Sequence, residues 1–250
     1  MWNAFITLMI NILLYIYEFI GNDFGWAIII FTILVRFITY PLTARSMKSS
    51  KGLQELQKSK KWEDIQTKYK DDKEKLAQKQ MELYKEMGIN PLGSCLPQLI
   101  QFPIIIGLYQ AVIRTLAVTP LQLVKLSRHI SNGASLIPIN NQFLWMDLSE
   151  PERLNIFGIG IPVLAIIVVI TSYFQTKLIS SSTPSSGGGN DQSAQMNQAM
   201  QLYMPLLMGF FAFNYAAGLA VYFVASNLTS IIQYALMGRI DFKELLPSKS

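Results

Sequence analysis

FGWAIIIFTILVRFITYPLT, residues 24–43, is the stretch that decides the fold. It matches the roughly 20 apolar residues that a helix needs to cross a bilayer. Its one charge is Arg36, with Thr32 one turn earlier. Arginine has no neutral form to retreat to, so at membrane depth it faces water or a partner inside the protein. A wet, positively charged cavity open on one side is the sharpest functional reading of that placement.

The composition around this stretch points the same way. Of 250 residues, 51% are hydrophobic and 15% charged, which is the balance of an integral membrane protein with one compact helical domain. The net charge of +5 raises the question of nucleic acid, but 12 of the 21 basic residues lie between Arg45 and Lys85, interleaved with acids such as Glu55, Asp64, Asp72 and Glu82. That is a mixed-charge stalk without the aromatic-spaced basic platform that single strands favour, so nucleic acid is not expected as a primary partner. Cys95 alone permits no internal disulfide and His129 alone no metal cluster. No cofactor, no metal and no catalytic residue are expected, because no paired acid or serine-base arrangement falls at membrane depth.

The chain reads as an all-α polytopic membrane protein with five transmembrane helices. Residues 1–23 suggest an interfacial helix, since Asn3, Asn11, Tyr15, Tyr17 and Glu18 interrupt an apolar run that has neither a basic start nor a small-residue cleavage site. The spans are placed at 24–43, 90–118, 156–176, 200–213 and 215–237. The fourth is short and needs residues 194–201 to extend it. Residues 119–155 form an external connection, 177–199 a cytoplasmic linker with Pro184 and three consecutive glycines, and 238–250 a tail. Twelve basic residues on the first long connection, against three between Leu121 and Arg153, put that connection and the C-terminus in the cytoplasm and the N-terminus outside.

The Lys-rich connection, residues 44–89, is patterned as a helical hairpin with its ends near Ser46 and Met87. Leu53, Leu56, Ile65 and Tyr69 recur near helical spacing, and Asp71 with Glu74 offers a capping box to a second arm bearing Leu76, Leu83 and Met87. Gly88 can stop that arm. Such a hairpin is either a mobile docking arm that recruits partners or a passive connector.

Span two is polar for lipid, with Gln98, Gln101, Gln110 and Arg114 beside Pro97 and Pro103. Gln98 and Gln101 either line the cavity of Arg36, or satisfy backbone freed by the prolines and bond between helices. Thr32 bonds to Arg36 or water, or back to its own helix. Arg114 sits where it can snorkel to the outer surface. A cavity of this kind can hold the polar part of a polypeptide while its apolar segment moves into lipid. A small-solute or ion transporter using Arg36 is the alternative, against which stand the lack of an internal repeat and of an acidic partner in a span.

Phe31-Thr32-Ile33-Leu34-Val35-Arg36 and the ending Tyr40-Pro41-Leu42-Thr43 are followed by Leu83-Tyr84-Lys85, Asn90-Pro91-Leu92-Gly93-Ser94-Cys95-Leu96-Pro97 and Gln101-Phe102-Pro103. Met204-Pro205, Gly218-Leu219, Tyr222 and Ser226-Asn227-Leu228 come after. In this combination, over almost the whole chain from residue 24, the sequence resembles the YidC/Oxa1/Alb3 membrane protein insertases. The resemblance implies a five-helix core with a hydrophilic groove open to cytoplasm and lipid and sealed outside, with the family's arginine at Arg36 and a groove position at Thr32. It implies that client proteins slide along spans two and five at Phe102, Ile105, Tyr222 and Phe223. Phe223 departs from the tyrosine common in some relatives and lacks its hydroxyl.

The resemblance further implies a bacterial plasma membrane protein, not an enzyme. Its partners would be newly made membrane proteins and the lipid bilayer, with the ribosome and the Sec translocon as further candidates. The large external domain that precedes the core in many Gram-negative members is missing, and a tail with only Arg239, Lys243 and Lys249 argues against ribosome tethering through it. In the external connection, Trp145 reads as an interfacial anchor, and the stretch forms either short surface helices that cap the groove or a simple membrane-surface loop. Asn227 reads as a helix–helix bond, Cys95 as a packing residue and His129 as exposed.

Overall fold

The computed structural model of the protein describes residues 2–57, 59–70, 72–88, 96–116, 139–156, 159–180 and 192–237. The readings placed on Asn90, Pro91 and Cys95, on the first part of the external connection with His129, on the 181–191 linker and on the 238–250 tail lie outside the described residues.

Helix α1 (Trp2–Phe19) is followed by a tight turn into α2 (Phe24–Gln57), in which Gly21 at φ 90° and Asn22 at φ 70° adopt the left-handed backbone that these two residue types tolerate best. Asp23 then caps α2, its Oδ1 accepting from the backbone N–H of Gly25 at 3.0 Å and of Trp26 at 3.2 Å. Where the sequence suggests a surface helix, α1 is long and apolar enough to cross a membrane. Its Ile6, Met9, Ile10, Leu13 and Tyr17, at helical three-and-four spacing, are buried against α5 and α2.

Helix α2 does not stop at Thr43, the expected end of the span. It continues through Pro41, which removes one backbone donor. Threonine hydroxyls supply extra donors around it, Thr39 to the Val35 carbonyl at 2.9 Å and Thr43 to the Thr39 carbonyl at 3.1 Å. The break comes at Ser59, whose side chain accepts from the Trp62 N–H at 3.4 Å and caps α3 (Lys60–Lys68). Helix α4 (Lys73–Glu86) is capped by Asp72, through Oδ1 to the Lys75 N–H at 3.1 Å, one residue later than the capping box read from Asp71. Its hydrogen bond to the Lys75 side chain holds the Asp72 carboxyl below the usual range. Gly88, at φ 64°, closes the arm. Leu56, Trp62 and Leu83 are buried together, with Ile65 and Tyr84 against them, so the arm has a small core of its own.

Beyond α5 (Leu96–Leu116) the described residues 139–156 and 159–161 form two antiparallel β-hairpins, and no surface helix is among them. Strand β1 (Gln142–Phe143) pairs with β2 (Met146–Asp147), and β3 (Leu154–Ile156) with β4 (Ile159–Ile161). The helix of the third expected span, α6 (Val163–Ser180), therefore starts seven residues after the expected 156. Gly160 and Pro162 explain the shift: glycine is a poor helix former, and proline is accepted only at a helix start. Helix α7 (Gln192–Asn214) takes in residues 194–201 as the short fourth span requires, and Tyr215 and Ala216 turn the chain into α8 (Ala217–Leu236).

The architecture is thus largely helical and that of a multi-pass membrane protein. Helix α1, the Phe24–Ser46 part of α2, and α8 are long and apolar enough to cross a membrane, and Ile100–Leu116, Val163–Leu178 and Leu202–Asn214 are shorter apolar helices. Helix α8 is the axis of the core, packing on α2, α5, α6 and α7. Small residues at Ala217, Gly218, Ala220 and Ala225 let its neighbours come close.

Candidate functional site

Arg36 is half-buried on α2 and faces α8. Its Nε–H donates to the Ser226 hydroxyl at 3.0 Å, and one Nη2–H donates to the same oxygen. Among the described residues no carboxylate pairs with it. The carbonyl of Arg36 accepts from Gln233 Nε2 at 3.1 Å, so α8 grips this residue at both its side chain and its backbone. Ser230, between the two, donates to the Ser226 carbonyl at 2.8 Å.

One helical turn nearer the start of α8, the hydroxyl of the buried Tyr222 accepts from Gln101 Nε2 of α5. A polar line therefore runs across three helices, from Arg36 to Ser226 and from Tyr222 to Gln101. Of the residues expected to line the cavity, Gln101 joins this cluster as an inter-helix bond. Thr32 is buried and donates back to the Ile28 carbonyl at 2.6 Å, leaving Arg36 to other partners. The side chain of Gln98 lies outside the described residues.

Ser226, Ser230 and Gln233 went unread as site residues, although the signal was present. Tyr222, Ser226, Ser230 and Gln233 are spaced 4, 4 and 3 apart, which places them on one face of an otherwise apolar helix. Gln233 Oε1 is buried with no hydrogen-bond partner among the described residues. Asn227, on the neighbouring face, donates to Thr171 Oγ1 at 3.1 Å and Ser172 Oγ at 2.8 Å, and so ties α8 to α6 as expected.

The end of the bundle at which α8 starts is fastened by the first β-hairpin and by residues 148–153, which join it to the second. The first two N–H groups of α8, on Ala217 and Gly218, donate to the carbonyls of Glu150 at 2.7 Å and Leu148 at 3.0 Å. The buried Glu152 carboxylate accepts from Trp145 Nε1 at 3.1 Å and from the Leu164 N–H at 3.0 Å, which makes it a remote cap for α6. Arg153 lies over the Phe213 ring of α7 at 5.3 Å, and the Asn140 N–H donates to the Tyr17 hydroxyl of α1 at 3.1 Å. Phe143 packs so closely on α2 that a Cβ at Gly25 would stand 2.1 Å from its ring. Trp145 itself remains half-exposed.

The profile of the 60Kd inner membrane protein family matches residues 15–244, nearly the whole chain. The chain belongs to this family. Among its relatives is the membrane protein insertase MisCA of Bacillus subtilis, 33% identical over 249 residues that make up 97% of this chain and 81% of the relative. The membrane protein insertase YidC of Oceanobacillus iheyensis is 33% identical over 95% of this chain and 84% of its own length. The YidC of Leptospira interrogans is 35% identical over 90% of this chain but only 32% of its own, longer sequence. These matches bear out the resemblance to the YidC/Oxa1/Alb3 insertases.

In this member of the 60Kd inner membrane protein family, the four residues assigned to a sliding or packing face divide into two pairs. Phe102 is 41% exposed on α5 and Ile105 is half-buried beside it. Tyr222 and Phe223 are buried in the core, because α8 is enclosed by four other helices at that level. Their side chains pack, and the exposed large apolar side chains of α5 among the described residues are Ile100, Phe102 and Ile106.

Proposed function

We infer that this protein is a membrane protein insertase and chaperone. It guides small membrane proteins from the cytoplasm into the bilayer through a hydrophilic groove formed by its helices. Its relatives carry the insertase name. The observation that carries the reading on this chain is Arg36, a cation in an apolar helix whose guanidinium is bonded, among the described residues, to a neutral serine alone. A charge held this way keeps its field and most of its donors for a polar or acidic group of an arriving chain. No covalent bond is made or broken in such a reaction and no cofactor enters it. Hydrophobicity of the client and the membrane potential drive it.

The groove reading places Arg36, Thr32, Gln98 and Gln101 on or behind the polar wall and the α5 face of Phe102 and Ile105 beside the exit into lipid. Tyr222 and Phe223 support that wall from within. The core crosses the plasma membrane five times, with the N-terminus outside and the C-terminus in the cytoplasm, while α1 lies against the outer part of the bundle. The arm from Ser46 to Met87 extends into the cytoplasm and meets newly made chains, free or on ribosomes, and the Sec translocon.

Reconstitution tests the proposal. Full-length protein in liposomes should increase insertion of a short single-span client without ATP, and Arg36→Ala should lower insertion of a client with an acidic translocated segment. Client insertion equal to that in empty vesicles, or saturable solute flux in its place, would overturn the reading. Cysteines placed around Arg36 should react with a polar reagent added from the cytoplasmic side and not from outside. No reaction at any of them removes the groove.

A further inference from the structure

We propose that Ser226 and Gln233 are positioning residues that hold Arg36 at a fixed depth and direction without neutralising it. This rests on the insertase reading of Arg36 and adds the groups that set its geometry. The argument begins with α2, where Pro41 lacks the N–H that would close the helical bond to the Phe37 carbonyl and its ring presses on that turn. The ladder is one bond short at the residue next to Arg36. At that point the Arg36 carbonyl receives two side-chain donors, Thr39 Oγ1 at 3.3 Å from its own helix and Gln233 Nε2 at 3.1 Å from α8. Gln233 is buried, and its second polar atom has no partner among the described residues. Packing alone would be served by a leucine or methionine there, so the amide acts as a tie to the backbone of Arg36.

Ser226 acts at the other end of the residue. A helical side chain leans toward the start of its helix, which for α2 is the outer side, and there the guanidinium meets the hydroxyl of Ser226 through Nε and Nη2. Ser226 is itself buried and fixed on a helix that the β-hairpins cap at its start. A carboxylate in place of the hydroxyl would hold the guanidinium more strongly and cancel its charge. A hydroxyl orients it and leaves the Nη1 N–H groups free of protein partners among the described residues. The latch is neutral, and that is its function.

The test uses the full-length chain in liposomes with two single-span clients that differ only in whether the translocated segment carries two aspartates or two asparagines. Ser226→Asp should cut insertion of the acidic client about tenfold, the scale of one hydrogen bond to a charged group, and leave the neutral client as in wild type. Ser226→Ala should lower the acidic client selectively by weakening its apparent affinity, and Ser226→Thr should restore it. Gln233→Leu should reduce the acidic-to-neutral ratio in the same direction. An unchanged ratio in all the Ser226 and Gln233 variants, with Arg36→Ala still abolishing it, overturns the positioning roles and keeps the insertase reading. An unchanged ratio in Arg36→Ala as well overturns the role of Arg36 itself. Equal loss of both clients in Ser226→Asp assigns a merely structural part to Ser226 and overturns the proposal there.

Discussion

Trp62→Ala tests whether the charged arm is a folded unit or two loosely associated helices. Trp62 is 4% exposed, between Leu56 at the end of α2 and Leu83 of α4, with its ring 5.6 Å from that of Tyr84. Truncating a buried tryptophan costs about 3–5 kcal/mol. The two leucines left behind supply roughly 1.5–3 kcal/mol each. Against them stands the ordering of α3 and α4, at 9 and 14 residues too short to hold themselves together in water. The variant should therefore release α3 and loosen α4 while the spans stay intact. Hydrogen exchange on the full chain in nanodiscs reads this directly. Amides of Lys60–Lys68 should lose on the order of a hundredfold in protection, those of α8 none, and Trp62→Phe should lie between. Wild-type protection across α3 in Trp62→Ala would refute the idea that this small core, rather than local helix propensity, builds the arm.

Two further substitutions probe the starts of α8 and α6. Gly218→Val puts a Cβ 2.9 Å from Val112 Cγ1 and 3.2 Å from the Leu148 carbonyl, so it should lower thermal stability in detergent by about 1–3 kcal/mol, the usual cost of overpacking. Val112→Ala should recover part of that loss. Glu152→Ala strands the Trp145 indole N–H and the Leu164 N–H at the start of α6 and should cost about 1–3 kcal/mol, with Glu152→Gln retaining most of the stability. A wild-type melting temperature in Glu152→Ala would show that the carboxylate does not fasten the hairpins to α6.

The helices were legible in the sequence because apolar runs of bilayer length leave few alternatives, and the break between α7 and α8 falls beside the boundary placed between 213 and 215. The errors fell where backbone and hydrophobicity disagree. Residues 156–162 are apolar enough to join a span, but Gly160 is a poor helix former and Pro162 is accepted only at a helix start, so the helix begins at Val163, and a hydropathy reading cannot see backbone preference. The end of the first span was placed at Thr43 because charge begins there, whereas helix geometry continues through Pro41 to Gln57. Arg36 and Gln101 could be singled out as polar residues in apolar runs. The polar face of α8 that holds Ser226 and Gln233 is visible as a spacing, but its pairing with Arg36 is not: the two lie 190 and 197 residues from Arg36 in sequence, and nothing in the spacing names the helix that the face meets.

The same partners bear on why Arg36 carries a charge at all. At the centre of a membrane helix an arginine costs about 2.5–3.5 kcal/mol on insertion scales, and a hydrogen bond from a charged donor to one neutral hydroxyl returns about 1.5–3 kcal/mol. The two nearly cancel, so the guanidinium adds little to the hold of α2 on α8. That hold comes from Gln233 on the Arg36 backbone and from apolar contacts around Ile28 and Phe31. Neither depends on the charge. Removing it should therefore leave the helix pair standing, and any loss of client insertion in an Arg36 variant that melts like wild type is a loss of electrostatics rather than of fold.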